Sequence, residues 1–474
     1  MDPRFRGDDG LEGARMSFAT DTFAGENFAV VGLGRNGLPA ALALRAMGAE
    51  VVAWDDTAAA RAQAEAAGVA VAEPTMDGLT ALVLSPGIPH TLPTPHRLAA
   101  AARAAGVPIL SDAELLFRAV RKSGSRARFA GITGTNGKST VTALLAHIVA
   151  GAGLPVAAGG NLGTAALALP WLPNDGIYVL EMSSYMLERL ATLRFDAAAM
   201  LNLSADHLDR HGDMAGYAAA KSLIFSRQGA GDVAVVGVDD DDSRRMAARL
   251  HDGPARLVTI SAGAADVCAP GGVLRDSLGK ICDLATARAL PGAHNAQNAA
   301  AAAALALGLG IAREAIASGI LTYPGLPHRQ ENVGTVDGVS FINDSKATNA
   351  DSAARALVCY PRVVWIAGGM AKAGGIAPLA PLFSHVAKAF LIGRDSSLLA
   401  ATLAEHGVRH SDVGTLENAT AAAFAAARAG AADVVLLSPA CASWDQFSGF
   451  DQRGDRFRAL VQQLREAASL RGAA

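Results

Sequence analysis

The run Phe129-Ala130-Gly131-Ile132-Thr133-Gly134-Thr135-Asn136-Gly137-Lys138-Ser139-Thr140 reads as an apolar strand entering a glycine-rich turn that opens a helix. Glycines at 131, 134 and 137 allow a tight turn that aims several backbone N–H groups at one polyphosphate. Lys138 adds a point charge and Ser139 a hydroxyl for magnesium. The strict phosphate-loop spacing asks for glycine at Ile132, so this variant rests on its place at a strand-to-helix junction. A second glycine turn, Gly32-Leu33-Gly34-Arg35-Asn36-Gly37, follows the strand Phe28-Ala29-Val30-Val31. The next strand, Glu50 to Trp54, ends in Asp55-Asp56. That spacing is the dinucleotide fingerprint, and the same turn admits the diphosphate of a nucleotide sugar. Ser85-Pro86-Gly87-Ile88-Pro89, after the strand Ala81 to Leu84, lines the same crevice.

The elements that hold these turns form an alternating α/β chain. At 474 residues the length suggests about three domains, each of roughly 100–200 residues. A net charge of −3 with 18% charged residues offers no basic face for nucleic acid. Cys268, Cys282, Cys359 and Cys441 are dispersed among apolar residues, which fits buried free thiols in a reducing compartment. Residues 1–15 lack an apolar core segment and are expected to be a disordered extension, with Met16 the better physical start. The most apolar helical run, Ala299 to Ala312, suits a buried core helix, short of the ~20 residues that a span needs. The expectation is a soluble cytoplasmic chain with no membrane insertion.

Three segments follow from the punctuation. Residues 16–121 form the first βα unit, ending at the polar stretch Arg121 to Arg126. Residues 122–325 form the central unit, with strands at Tyr178 to Leu180, Ala198 to Asn202 and Val233 to Val236 and a helix from Met214 to Phe225. Glu181 falls just beyond its strand. The turn Tyr323-Pro324-Gly325-Leu326-Pro327 then leads to the unit 326–474, with strands near Val363 to Ala367, Ala389 to Ile392 and Val434 to Leu437.

Further motifs follow in order: Gly160-Asn161-Leu162-Gly163, Glu181-Met182-Ser183-Ser184-Tyr185, Asn202 to Arg210, His294-Asn295-Ala296-Gln297-Asn298, His328-Arg329 and Asn343-Asp344-Ser345-Lys346-Ala347-Thr348-Asn349. From Phe28 onward the chain resembles the Mur ligases, ATP-dependent amide-forming enzymes of peptidoglycan precursor synthesis, which serve cell-wall biogenesis, cell shape and cell division. Leu437 to Phe447 with Phe450-Asp451-Gln452-Arg453-Gly454 is most similar to the branch that adds D-glutamate.

The resemblance implies a three-domain α/β architecture: an N-terminal Rossmann-like nucleotide-sugar domain, a central P-loop-type, mainly parallel ATPase domain and a C-terminal Rossmann-like domain that closes over ATP. It implies that UDP-N-acetylmuramoyl-L-alanine is met by Gly32, Leu33, Gly34, Arg35, Asp55, Asp56 and Asn161. ATP is met by Gly134-Thr135-Asn136-Gly137-Lys138-Ser139-Thr140 with Asn295, Asn298, Arg329 and Asp344. Mg2+ falls to Ser139, Glu181, His207 and an N-carbamylated Lys221, and D-glutamate to Thr348, Lys372, Ser443 and Phe450. Lys138, His207, Lys221 and Lys346 are the implied catalytic residues, and a monomer is expected. The substrate carboxylate would attack the γ-phosphate, and the D-glutamate amine would then attack the acyl phosphate.

Read by itself, His207 is equally a structural hydrogen-bonding group that Asp206 or Asp209 orients, and Lys221 a solvated surface lysine. Two departures from the family stand out. Met186 replaces a glutamine whose amide is expected to position sugar or alanine, and Met370 replaces an acid two places before Lys372. A Mur ligase with another acceptor remains open, as does folylpolyglutamate synthase, which generally starts near the phosphate loop. An NAD-dependent oxidoreductase built on Gly32, Gly34, Gly37 and Asp55 leaves Glu181, His207 and Lys221 without a task. A nucleotide-binding regulator without turnover has no need of Asp344 and Lys346.

Overall fold

The computed structural model describes residues 17–161, 163–287, 289–372 and 374–472. The expected extension 1–15, Met16 and Leu162 of the Gly-Asn-Leu-Gly motif lie outside the described residues.

Short β-branched and alanine-rich runs, buried on both faces, build three sheets. The first has the order Ala70–Val71, Glu50–Trp54, Asn27–Val31, Ala81–Leu84, Ile109–Leu110, all parallel. Chain order reverses between Asn27–Val31 and Ala81–Leu84, so the crevice of a doubly wound sheet opens at their carboxyl ends, where the Gly32 turn and the Ser85 loop begin.

The nine-stranded second sheet seats the phosphate-loop strand Arg128–Thr133 between Ile177–Glu181 and Ala197–Met200. Val156–Gly160 flanks one side, and Val233–Gly237, Arg256–Ser261 and Val267–Cys268 continue the other in parallel. Val273–Asp276 and Gly279–Asp283 add an antiparallel tail. The expected strands are present with small shifts: Glu181 is the last residue of its strand, and Asn202 lies beyond its own. The expected helix to Phe225 is α-helical over Met214–Ser222 and then tightens to a 3-10 turn over Leu223–Phe225.

The third sheet runs Glu331–Val336, Val339–Asn343, Val434–Leu437, Val363–Gly368, Val386–Ile392, His410–Gly414. Its first strand pairs antiparallel with the second, and the rest are parallel. Trp365, fully buried, anchors one face of its core, and Phe341, Phe424 and Phe457 fill the other.

The chain groups into two compact units. One holds the chain through Asp283 together with Ala296–Leu321, and so contains the first two sheets; the other holds Leu284–Asn295 and the chain from Thr322 onward. The apolar run near residue 300 is the buried helix Ala293–Gly308. Among the described residues no helix is long and apolar enough to cross a membrane. All four cysteines are free, three of them buried.

Candidate active site

The phosphate loop turns at two of its three glycines. Gly134 has φ +146° and Gly137, which caps the helix Lys138–Gly151, has φ +86°. Gly131 does not turn. It lies inside the strand, where an added Cβ would stand 2.7 Å from the Phe195 ring, so this position is glycine for packing. At Gly137 a Cβ would stand 2.3 Å from Asn298 Oδ1, which places Asn298 against the loop.

Asn202 holds the loop's shape. Its carbonyl accepts the Thr135 N–H at 2.9 Å, its Oδ1 accepts the Asn136 N–H at 2.9 Å, and its Nδ2 donates to the Asn136 carbonyl at 3.2 Å. Lys138 Nζ donates to the carbonyls of Gly134 and Thr135, each at 2.9 Å. Asn295, by contrast, belongs to the second compact unit and donates through Nδ2 to the Pro291 carbonyl at 2.7 Å.

Lys221 is not a surface lysine. It is 2% exposed, donates to the Gly134 carbonyl at 2.9 Å and sits 4.6 Å from the Tyr217 ring centroid. Burial, with the positive charge of Lys138 added, holds its pKa well below the ordinary lysine value. Glu181 is buried to the same degree. Its Oε1 accepts from Asn161 Nδ2 at 2.7 Å, while Oε2 is enclosed without a donor among the described residues. A buried carboxylate oxygen with no donor is the kind of group a hard cation satisfies.

His207, at φ +53°, has its Nε2 3.4 Å from Asp206 Oδ2, so Asp206 is the acid that faces the ring. Among the described residues no three His, Cys, Asp or Glu side chains gather as a metal cluster. The expected Mg2+ set therefore needs the Ser139 hydroxyl and an oxygen-bearing Lys221 to be complete.

Two residues missed by sequence reasoning stand close by. His211 shields its side chain from solvent, stacks on Tyr185 at 5.5 Å and places Nε2 2.9 Å from Ser184 Oγ. Its only sequence signal was a spacing of four from His207. Arg189, 2% exposed, donates to the carbonyls of Leu84, Ser85 and Ile88 at 2.7, 3.0 and 2.6 Å, and burial lowers its pKa to about 10. Met186, which stands where the family has glutamine, is 1% exposed and packs in the core.

A cleft of about 450 Å3 opens at the crevice of the first sheet, lined by Gly32, Gly34, Arg35, Asp55, Asp56 and Asn161 among others. Gly32 has φ +88°, and a Cβ on Gly37 would fall 1.7 Å from the Gly32 carbonyl oxygen, so both must be glycine. Leu33 is buried beneath the turn. Asp55 Oδ2 accepts the Leu33 N–H at 2.7 Å and Oδ1 the Thr57 N–H at 2.9 Å. Burial raises its pKa, but these bonds outweigh it and hold the carboxyl below the usual range. The acid of the fingerprint thus closes its own turn. Asp56 is bound to His96 Nε2 at 3.0 Å and to Trp54 Nε1 at 3.1 Å.

In the second unit the strand ends are tied by a buried cation. Arg453 donates to Ser345 Oγ at 3.0 Å and to the carbonyls of Ser345 and Cys441 at 2.8 and 3.1 Å. Ser345 Oγ donates to the Phe450 carbonyl at 2.7 Å, and Lys346 Nζ lies 5.1 Å from the Phe450 ring centroid. Asp344 is buried, accepting from Ser438 Oγ at 2.7 Å and the Gln330 N–H at 3.2 Å, and burial pushes its pKa up to about 7.

Met370 pairs through its backbone with Ala442. Beside it, Asp395 Oδ2 accepts the Ala371 N–H at 2.9 Å. Lys372 is exposed, Thr348 half-buried and Ser443 2% exposed.

A glycine loop on a central strand, with a neutralisable lysine and an unsatisfied carboxylate beside it, defines a nucleotide-dependent group-transfer enzyme. The chain belongs to the Mur ligase family: residues 132–306 match the Mur ligase middle domain and residues 328–441 the Mur ligase glutamate ligase domain. Among its relatives, UDP-N-acetylmuramoylalanine--D-glutamate ligase of Paramagnetospirillum magneticum is 52% identical over 446 residues, 92% of this chain and 96% of the relative. The enzyme of the same name from Caulobacter vibrioides is 48% identical, over 93% of this chain and 97% of the relative. In fold, the chain is similar to UDP-N-acetylmuramate-alanine ligase of Thermotoga maritima, with a TM-score of 0.58 at 17% identity, covering 92% of this chain and 99% of that one.

Proposed function

We propose that this chain is the ATP-dependent, ADP-forming ligase that joins D-glutamate to UDP-N-acetylmuramoyl-L-alanine, in peptidoglycan precursor synthesis. The observation that carries this reading is 52% identity, along 92% of the chain, to a ligase named for that reaction. The test is phosphate release from ATP by the purified chain. It must require both UDP-N-acetylmuramoyl-L-alanine and D-glutamate, and release with only one of them, or with NAD turnover instead, overturns the reading.

In this reading residues 16–121 hold the nucleotide sugar in the crevice of the first sheet, 122–325 hold ATP, and 326–474 hold the acceptor. The Gly32 turn, with Leu33, Gly34, Arg35, Asp56 and Asn161, faces the UDP portion, and Asp55 serves by keeping the turn closed. The loop Gly134 to Thr140 cradles the phosphates, with Lys138 countering charge at the γ-phosphate while the muramoyl-alanine carboxylate attacks it. This electrostatic help is the main contribution a protein makes to phosphoryl transfer. Asn295, Asn298, Arg329 and Asp344 complete nucleotide binding, and Lys346 faces the reacting phosphate.

The orphaned Glu181 oxygen and the low pKa of Lys221 fit a divalent cation bound by Ser139, Glu181, His207 and carbamylated Lys221. Mg2+ there supplies positive charge against the phosphate oxygens. Carbamylation requires a neutral amine, which the burial of Lys221 favours. Thr348, Lys372, Ser443 and the Phe450 backbone meet the D-glutamate carboxylates, so that its amine is held for attack on the acyl phosphate. We further propose that the enzyme works as a monomer in the cytoplasm, where ATP is supplied.

A further inference from the structure

Asn36 stands in the Gly32–Gly37 turn and lines the crevice, yet the roles above leave it without a task. It occupies the N-cap of the helix Gly37–Ala46, where an asparagine ordinarily turns its side-chain oxygen onto the first N–H groups of its own helix. Asn36 makes no such bond. Its side chain reaches out of the first sheet instead, and Nδ2 donates to the Gly160 carbonyl at 3.2 Å, 124 positions along the chain.

Gly160 ends the strand Val156–Gly160 and is paired in register with Glu181. The approach is close: Gly160 has φ +96°, and a Cβ there would stand 2.6 Å from the Glu181 carbonyl oxygen. The peptide group that joins Gly160 to Asn161 is held from both sides. Its carbonyl accepts from Asn36, and its N–H donates to the Glu181 carbonyl at 2.9 Å. Asn161 then reaches the Glu181 carboxylate itself, with Nδ2 2.7 Å from Oε1. One peptide unit and one side chain thus connect the wall of the crevice to the buried carboxylate whose Oε2 has no donor among the described residues.

The exposures of the two partners give the sign of the effect. Glu181 is 2% exposed, whereas Asn161 is exposed and lines the crevice. A nucleotide sugar seated there covers Asn161 and removes the water that competes for its amide, and a hydrogen bond strengthens as its surroundings lose water. Glu181 is then held in one orientation, with Oε2 presented to a cation. We propose, on the reading of this crevice as the nucleotide-sugar site, that Asn36 and Asn161 are positioning residues that couple the two sites. Nucleotide sugar in the crevice tightens divalent-cation binding at Glu181, and by linkage the cation tightens nucleotide-sugar binding by the same factor. Asn36 fixes the Gly160–Asn161 peptide, and Asn161 carries the effect to the carboxylate.

The test measures this factor in the whole protein without ATP. UDP-N-acetylglucosamine is the probe, because it carries the nucleotide diphosphate and a sugar but no carboxylate that could bind the cation itself. Mn2+ affinity is read by electron paramagnetic resonance with and without the probe, counting the binding that Glu181→Gln removes. Probe affinity is read by calorimetry with and without Mg2+. Each ligand should tighten the other about fivefold or more. Asn36→Ala and Asn161→Ala, with unchanged melting temperatures, should bring the factor close to one, whatever they do to either affinity alone. Variants that weaken probe binding but keep the factor would show a role confined to the crevice and overturn the proposal. Coupling that persists in Glu181→Gln also overturns it, by assigning the effect to cation carried on the diphosphate. If the probe does not bind the wild-type protein, the reading of the crevice falls together with the proposal; if it binds without coupling, the proposal alone falls.

Discussion

Lys138 and Lys221 donate to the same oxygen atom, the Gly134 carbonyl, each at 2.9 Å. Burial, and after it the positive charge of Lys138, pull the Lys221 pKa well below the ordinary lysine value. The phosphate loop thus carries Lys138 as a fixed cation beside a buried amine whose charged form is disfavoured.

Removing Lys138 tests the fixed cation. Lys138→Ala should fold normally and lose about 10²–10³ in turnover, the scale for deleting a preorganised electrostatic contact. A variant that keeps more than a tenth of normal phosphate release would remove Lys138 from the mechanism.

Lys221→Ala should be nearly inactive, because the oxygen ligand its carbamate supplies is lost. Added formate or acetate, small carboxylates that can enter the vacated space, should restore part of the rate. Full activity of the unsupplemented variant would exclude the role, and a mass increase of about one CO2 on the intact protein would support it directly.

Asn202→Ala leaves the Asn136 N–H and carbonyl without their side-chain partners. Each unmade bond in a shielded site is worth about 1–3 kcal/mol. The apparent KM for ATP should rise about tenfold or more, with the KM for D-glutamate little changed. An unchanged KM for ATP would show that the loop holds its shape without Asn202.

Asp344 makes stability depend on pH. Its folded-state pKa, about 7, lies above the unfolded value of 3.8. Between those values the folded protein keeps a proton that the unfolded chain has released, so the buried carboxyl increasingly destabilises the fold as pH rises from 3.8 toward 7, fully so above 7. Asp344→Asn lacks this penalty, and its melting temperature relative to wild type should be higher at pH 8 than at pH 5. A difference independent of pH would show that Asp344 is ionised throughout.

Lys372→Ala should raise the KM for D-glutamate about tenfold to a hundredfold, the loss of one charged hydrogen bond of roughly 1.5–3 kcal/mol. The KM for ATP should hold. Glutamate kinetics that do not change, or wild-type enzyme that uses D-glutamine equally well, would move the acceptor pocket elsewhere.

The turns were legible because glycine at positive φ leaves a local mark: Gly32, Gly134 and Gly137 act where the motifs place them. Gly131 was misread because its reason, the ring of Phe195, lies sixty-four positions away and leaves no trace in spacing. The burial of Lys221 was hidden for the same kind of cause. Its helix is rich in alanine on every side, so no periodicity says which face is inward, and only Gly134 and Tyr217 settle it. Arg189 and Arg453 are cations that serve carbonyl groups, and a sequence shows an arginine's charge without showing that its partners are backbone.

Arg189 has one consequence for anyone seeking to block this crevice. Its guanidinium stitches the Leu84–Ile88 wall to the residues of the central sheet, so the wall is set when the chain folds rather than when a ligand arrives. A rigid inhibitor shaped to the empty cleft loses little entropy in ordering the protein, and flexible compounds that must remodel that wall are at a disadvantage.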